Sequence, residues 1–367
     1  MSFGAFGSKF STPAAPASQS TSKSSPNNDP ELSNPPSDSI SAVSWAPAGA
    51  DCLAVASWDN SVRIYEVSPT GQAIGKAAYN HENSVLCLAW SKDGSKVFSG
   101  GVDKAGRCYD LATGQATQVA AHNEPIKAMR WVDAEGTAGL LATGSWDKTI
   151  KYWDMRQSTP VLSVDVPSRV YSMDVRYPLM VAACADRYID YFDLRNPSVA
   201  QKKTVSMLKQ QTRVVSCFTE GVGYAVGSIE GRVGIQYIEK VGAQSDFSFK
   251  CHRNEPPLEQ GKPGPGISYT FPVNDIAFHP VHGTFATVGS DGLLTFWDHT
   301  NRRRLSGYDS KGGPITCCAY NRTGTILAYG VSYDWSKGHG GNANMPVKVC
   351  LHQCVDDDTK KRTTVKK

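Results

Sequence analysis

Gly144-Ser145-Trp146-Asp147-Lys148-Thr149-Ile150-Lys151-Tyr152-Trp153 is the stretch on which the fold turns. A small-residue run ends, an acid sits in a tight turn, and an alternating segment follows that closes on an aromatic. The pattern recurs as Ala56-Ser57-Trp58-Asp59-Asn60-Ser61-Val62-Arg63-Ile64-Tyr65, and more loosely as Gly289-Ser290-Asp291-Gly292-Leu293-Leu294-Thr295-Phe296-Trp297. Acidic turns stand at Asp59, Asp103, Asp147, Asp186, Glu230, Asp291 and Asp334, with gaps of 44, 44, 39, 44, 61 and 43 residues. Such a period marks an array of like units, none of which buries its apolar face alone.

Within each unit the runs are short. Val85-Leu86-Cys87-Leu88-Ala89-Trp90 is followed by the polar turn Lys92-Asp93-Gly94-Ser95, and Leu53-Ala54-Val55-Ala56 leads into an acid. Short alternating runs, Gly and Asp turns, and no long segment of period 3.6 predict an all-β protein. Three strands and a linking strand make a four-stranded blade, and a ring of seven leaves only short, protected edges. The expectation is a seven-bladed β-propeller over residues 29–353. Its seventh unit ends near Lys348-Val349-Cys350-Leu351-His352, so Asp29 to Ser33 is expected to supply the missing outer strand. Pro30 fits an outer edge, where N–H positions are free. The long gap before Asp291 places an insertion from Glu239 to Ile267, whose Pro and Gly clusters predict an exposed loop.

Residues 1–28 are rich in Ser, Pro, Ala, Thr and Asn and nearly lack aliphatic side chains. They cannot bury enough surface to offset ordering entropy, which predicts a disordered leader; Phe3-Gly4 and Phe6-Gly7 stand in it. Residues 354–367, with Lys360, Lys361, Arg362, Lys366 and Lys367, read as a solvated basic tail. A net charge of +4, with 20% charged residues, gives no bulk argument for nucleic acid. The ten cysteines stand mostly singly in apolar runs without zinc spacing, as buried reduced thiols do. That usage suits a cytosolic or nuclear compartment. No apolar stretch reaches membrane-spanning length and no signal pattern opens the chain, so a soluble protein without a membrane partner is expected.

His122, Ser145 and Asp147 have the residue types of a hydrolase triad. In a repeat they read instead as a structural network closed by Trp153, because a buried carboxylate needs partners. His81 with Asp103 reads as a degraded second copy in which Gly101 replaces the hydroxyl. Recurrence in neighbouring units argues for structure over catalysis. His279-Pro280-Val281-His282 has no companion ligands, and Pro280 breaks a helix that would aim both rings at a metal. No metal, no cofactor, no small-molecule substrate and no enzyme activity are expected.

The strand order itself selects a face. Residues just before the first strand of a unit and residues of the acidic turn share one surface, because successive strands are antiparallel. On it the sequence places Arg169 and Arg187 in unit four, Arg213 and Arg232 in unit five, and Lys104 and Lys148 in units two and three. Trp58 and Trp146 stand in the turns of units one and three. Arg and aromatic residues dominate interface energies, and Arg engages carboxylates bidentately, so this face suits an extended acidic segment. Arg302-Arg303-Arg304 is a separate basic run open to RNA or a peptide.

The repeat unit resembles the WD-repeat family. Ser228-Ile229-Glu230-Gly231-Arg232-Val233, Phe249-Lys250-Cys251-His252-Arg253, Ala277-Phe278-His279-Pro280-Val281-His282-Gly283-Thr284 and Ser332-Tyr333-Asp334-Trp335-Ser336-Lys337-Gly338-His339 narrow the likeness. Together they resemble the mRNA export factors of the Rae/Gle type and their sister, the spindle-checkpoint Bub propeller. The Phe-Gly-bearing leader and the strongly written third repeat favour the export factors. The resemblance implies a non-catalytic adaptor of the nuclear pore complex and nuclear envelope, shuttling through the cytoplasm. It would bind the GLEBS segment of an FG nucleoporin and support export of messenger RNA or its ribonucleoprotein; the alternative is a kinetochore adaptor using the same face. The family's GLEBS-contacting arginine falls at Arg232, with Arg213 as a second match.

Overall fold

The computed structural model describes residues 29–133, 139–239, 245–254, 268–308, 312–342 and 344–362. The expected leader, residues 1–28, lies outside the described residues.

Six four-stranded antiparallel sheets and one three-stranded sheet follow one another along the chain. Blade 1 comprises Ile40–Trp45, Cys52–Ser57, Ser61–Val67 and Ala73–Asn80. Blade 2 comprises Val85–Trp90, Lys96–Gly101, Ala105–Asp110 and Gln115–Ala121. Blade 3 has Ile126–Val132, Leu140–Ser145, Thr149–Trp153 and Leu162–Asp165; blade 4 has Val170–Arg176, Leu179–Cys184, Tyr188–Asp193 and Lys202–Val205. Blade 5 has Thr212–Cys217, Gly223–Ser228, Arg232–Tyr237 and Phe247–Lys250; blade 6 has Val273–Phe278, Phe285–Gly289, Leu294–Asp298 and Arg303–Tyr308. Blade 7 has Ile315–Tyr320, Ile326–Val331 and Lys348–Gln353. Each first strand packs against the first strands of the blades before and after it, and Ile40–Trp45 meets Ile315–Tyr320, so the seven inner strands close a ring. The protein is a seven-bladed β-propeller.

The ring is joined where the sequence predicts. Glu31 pairs antiparallel with Cys350, the Leu32 N–H donates to the Val349 carbonyl at 2.9 Å, and the Leu351 N–H donates to the Pro30 carbonyl at 2.9 Å. This segment supplies blade 7 with its missing edge, and Leu32 is buried against Val349 and Leu351.

The core lies between the blades. Second strands are buried from end to end, as Leu179–Cys184, Gly223–Ser228 and Ile326–Val331 are. Both faces of these strands meet apolar neighbours, which explains their continuous runs of small and branched residues. Tyr152, Met173, Met180 and Phe192 fill the gap between blades 3 and 4. Removal of such surface from water is the main stabilising term. All ten cysteines are free, and eight are buried.

Two expectations need correction. The insertion from Glu239 to Ile267 is not loop throughout: Phe247–Lys250 pairs with Arg232–Ile235 as the outer strand of blade 5, and Arg253–Asn254 pairs with Tyr269–Thr270. Phe247 and Phe249 alternate inward onto the core between blades 5 and 6. The basic end is also not simply solvated. Asp356–Thr359 forms a helical turn in which Asp358 is buried and accepts bonds from the Ser306 hydroxyl at 2.6 Å and the Tyr308 hydroxyl at 2.9 Å. The Arg362 guanidinium donates to the Leu305 carbonyl at 3.0 Å. The described part of this end is thus fastened to the outer strand of blade 6, while residues 363–367 lie outside the described residues.

Candidate partner-binding face

Each acidic turn uses the left-handed backbone region immediately after its acid. Asn60, Lys104, Lys148, Arg187, Gly231, Gly292 and Trp335 have φ of 71°, 65°, 67°, 65°, 61°, 74° and 61°. Only Gly adopts this conformation without steric cost, so Arg187 and Trp335 are held there against their intrinsic preference. The turns project these seven residues from one end of the ring.

Three blades anchor the turn through a buried histidine. In blade 3 the Trp153 indole N–H donates to the Thr143 hydroxyl at 2.8 Å, and the hydroxyl lies 2.8 Å from His122 Nε2. His122 Nδ1 lies 2.9 Å from Asp147 Oδ2. A carboxylate only accepts, so Nδ1 carries the proton and Nε2 accepts from Thr143. Burial holds His122 below its ordinary pKa, despite the opposing pull of Asp147, which keeps the ring neutral. Burial pushes the Asp147 carboxyl up, but bonds from the Thr149 hydroxyl, the Asn123 N–H and His122 outweigh it and hold the pKa at about 2.

The hydroxyl of this network is Thr143 and not Ser145. The Ser145 hydroxyl donates to the Glu124 carbonyl at 3.0 Å and accepts the Asp147 N–H, so it shapes the turn instead. The second copy is not degraded: His81 joins Asp103 at 2.9 Å and Ser99 at 2.7 Å, with the Tyr79 hydroxyl donating to Ser99. A third copy, missed in the sequence, comprises His252, Asp291, Thr287 and Trp297. Three copies in one ring form a turn-holding device.

Blades 4 and 5 lack it. Val166, Ala182 and Phe192 take the places of His122, Thr143 and Trp153 in blade 4. Their turns carry the arginines. The Arg187 guanidinium donates to the Leu208 carbonyl at 3.1 Å, reaching across to the segment that enters blade 5. Arg232 is half-buried at the start of its strand and donates to the Ser248 hydroxyl at 3.2 Å, towards the rim. Arg213 turns the other way, into the mouth of the central channel, and donates to the Asn274 side-chain oxygen at 3.0 Å. Arg169 is exposed and lies 6.0 Å over the Tyr171 ring. All four stand at the acidic-turn end, spread as a radial track from channel to rim. Arg253, which the sequence did not single out, tightens that track by donating to the Glu230 carbonyl at 2.8 Å.

Lys148 is exposed in its turn. Trp146 is half-buried, and among the described residues its indole N–H has no hydrogen-bond partner. Trp58 stacks on Trp335 with ring centroids 5.6 Å apart, and the two are 37% and 39% exposed. This pair bridges blades 1 and 7 on the same face. Arg302 lies in the turn between the third and outer strands of blade 6, and Arg303 and Arg304 open the outer strand; all three are exposed, on the opposite face. The Arg302 guanidinium sits 4.5 Å over the Phe247 ring and donates to the Ser245 hydroxyl. Among the described residues no group of three His, Cys, Asp or Glu side chains is placed to hold a metal, and no helix is long and apolar enough to cross a membrane.

A closed ring of like blades with a charged and aromatic upper face defines a WD-repeat propeller, and the WD domain, G-beta repeat family matches residues 31–66, 76–110, 115–154 and 266–298. The chain is 50% identical to the Poly(A)+ RNA export protein of Schizosaccharomyces pombe, over 91% of this chain and 93% of the relative. It is 51% identical to the mRNA export factor GLE2 of Chaetomium thermophilum, over 93% and 94%, and 42% identical to Protein Rae1 of Drosophila melanogaster, over 93% and 97%. It belongs to the mRNA export factor family of the Rae/Gle type.

Proposed function

We propose that this protein is a non-catalytic adaptor that supports export of messenger RNA from the nucleus. In this reading it works at the nuclear pore complex and nuclear envelope, shuttles through the cytoplasm, and holds a GLEBS-type segment of an FG nucleoporin on its acidic-turn face. The names of its relatives support the export role. The observation that carries the binding reading is the radial track of Arg213, Arg187 and Arg232 across blades 4 and 5, where the histidine networks are absent. Guanidinium groups there would pair with carboxylates of the segment, and Trp58 with Trp335 would take an apolar side chain beside it. A direct contact with messenger RNA falls to Arg302, Arg303 and Arg304 on the opposite face, leaving both ligands room to bind together.

The test is titration of the full chain with a GLEBS peptide. Charge reversal at both Arg213 and Arg232 should weaken binding by about 100-fold or more, the size of losing two desolvated charge pairs. Equal affinity of the double variant and the parent would sink the proposed face.

A further inference from the structure

Every inner strand of the ring carries a β-bulge at its second residue. Pairing with the second strand skips Ser41, Leu86, Lys127, Tyr171, Arg213, Asn274 and Thr316 in blades 1 to 7. A bulge re-aims the side chain of its extra residue. Here the aim is the mouth of the channel. The Ser41 hydroxyl donates to the Val85 carbonyl, the Asn274 amide to the Ile315 carbonyl and the Thr316 hydroxyl to the Ile40 carbonyl, each on the inner strand of the next blade. Seven bulges therefore build one collar.

Two members of the collar are cations without a counter-ion bond. Arg213 is bonded to the neutral Asn274, and among the described residues Lys127 makes no direct hydrogen bond or ion pair, the Asp275 carboxylate acting on it only from further off. They stand on blades 3 and 5, which are not neighbours in the ring, yet the Arg213 charge acts on Lys127. Burial, reinforced by the Arg213 charge and opposed by Cys87, Asp275 and Cys317, lowers the Lys127 pKa, and burial lowers that of Arg213 against the pull of Asp334.

The nearby carboxylates of the channel and the acidic turns are otherwise engaged. Asp174 accepts Arg130 Nε at 2.8 Å and the Cys217 N–H at 2.8 Å. Asp275 accepts the Cys318 and Ile276 N–H groups, and burial pushes its carboxyl up to about 6. Asp334 accepts the Ser290 hydroxyl and the Ser336 N–H. Two partly desolvated cations facing one another are costly unless an anion sits between them.

We propose that the channel mouth is a binding site for a small phosphate-type oxyanion, held by Lys127 and Arg213 with the Asn274 amide beside them. The site shares Arg213 with the peptide track, which runs outward from it over blades 4 and 5, whereas Lys127 belongs to the channel mouth alone. A bound anion would convert two repelling charges into charge-assisted hydrogen bonds and lock blades 3, 5 and 6 around the mouth.

The test is calorimetric titration of the full chain with pyrophosphate at constant ionic strength. Saturable binding is expected, weakened about tenfold or more by Lys127→Met, the size of one charge-assisted hydrogen bond. Lys127→Arg should keep it, and Lys92→Ala, an exposed lysine paired with Asp133, should leave it unchanged. Because Lys127 is partly desolvated without a direct ion pair, Lys127→Met should also melt higher than the parent in anion-free buffer. The absence of saturable binding by the parent at roughly 20 mM, weaker than any useful affinity, would overturn the proposal. So would equal affinity in Lys127→Met. GLEBS titration of the same Lys127→Met protein is expected to match the parent, so the two readings fail separately.

Discussion

His352 and Asp29 meet at 3.1 Å across the joint that closes the ring, and the same imidazole reaches Asp358 at 3.2 Å on its other side. One buried ring thereby ties the start of the propeller to the helical turn at its end. Burial alone would lower the His352 pKa, but the bonds to Asp29 and Asp358 outweigh it and raise the pKa above 6.5.

A raised histidine stabilises the fold where it is protonated only in the folded state's favour. Its contribution is fully present below the unfolded value of about 6.5 and is lost as pH rises through the higher folded value. The melting temperature of the parent should therefore exceed that of His352→Gln most clearly between pH 5 and 6.5, by an effect of about 1–2 kcal/mol. The gap should narrow at pH 8. A gap that widens with pH would show that the closure does not depend on the imidazolium.

The assignment of Thr143 to the histidine network separates two hydroxyls that lie two residues apart. Thr143→Val leaves a buried indole N–H and an imidazole nitrogen without partners and should destabilise by about 2–3 kcal/mol. Ser145→Ala removes the bond to the Glu124 carbonyl and the one accepted from the Asp147 N–H, and should cost about 1–2 kcal/mol. Urea unfolding of the two variants distinguishes them, and the reverse order would return the network role to Ser145.

The propeller itself was legible because a closed ring repeats its instructions. Seven acids followed by left-handed turn residues fix seven hairpins, and Asp29 to Ser33 was the one segment left to fill an open edge. The faces of the blades were harder to read. Thr143 and Ser145 share the same side of a strand of period two, so alternation gives no basis for choosing between them, and the same ambiguity hid Ser99 behind Gly101. Lys127 was invisible for a related reason: the bulge shifts the phase of its strand, so the sequence counts it as an ordinary alternating residue. Phe247–Lys250 was lost among the Gly and Pro residues that follow it. The arginines of blades 4 and 5 were placed on the correct end of the ring, but their radial spread follows from hydrogen bonds to Asn274, Leu208 and Ser248 that no spacing encodes.

Asp190 marks a local weakness between blades 3 and 4. It is fully buried, neither carboxylate oxygen has a hydrogen-bond partner among the described residues, and burial raises its pKa despite the nearby Lys203. The charged form is disfavoured in the fold, so stability falls as pH rises from the unfolded value through the folded one. Asp190→Asn should stabilise the protein at pH 7 by about 1–3 kcal/mol. The difference should shrink towards pH 4, where the parent carboxyl is protonated. Thermal melts at the two pH values test this, and a destabilised Asn variant at pH 7 would mean that the carboxylate has a role in the fold.

Trp335 is held in a backbone region that bulky residues avoid, and its exposed ring rests on Trp58. Two opposite effects can be separated by substitution. Trp335→Ala keeps the left-handed strain of a residue with Cβ and loses a ring stack worth about 0.5–1.5 kcal/mol, so it should destabilise. Trp335→Gly loses the same stack but relieves about 1 kcal/mol of backbone strain, so it should unfold at nearly the parental urea concentration. Both should weaken GLEBS peptide binding alike, by about tenfold, because both remove the exposed indole. Affinity that tracks stability, with Gly retaining binding and Ala losing it, would reduce the tryptophan pair to a turn ornament. Equal losses of affinity at unequal stability would mark Trp335 as a side chain held in strain for the sake of the surface it presents.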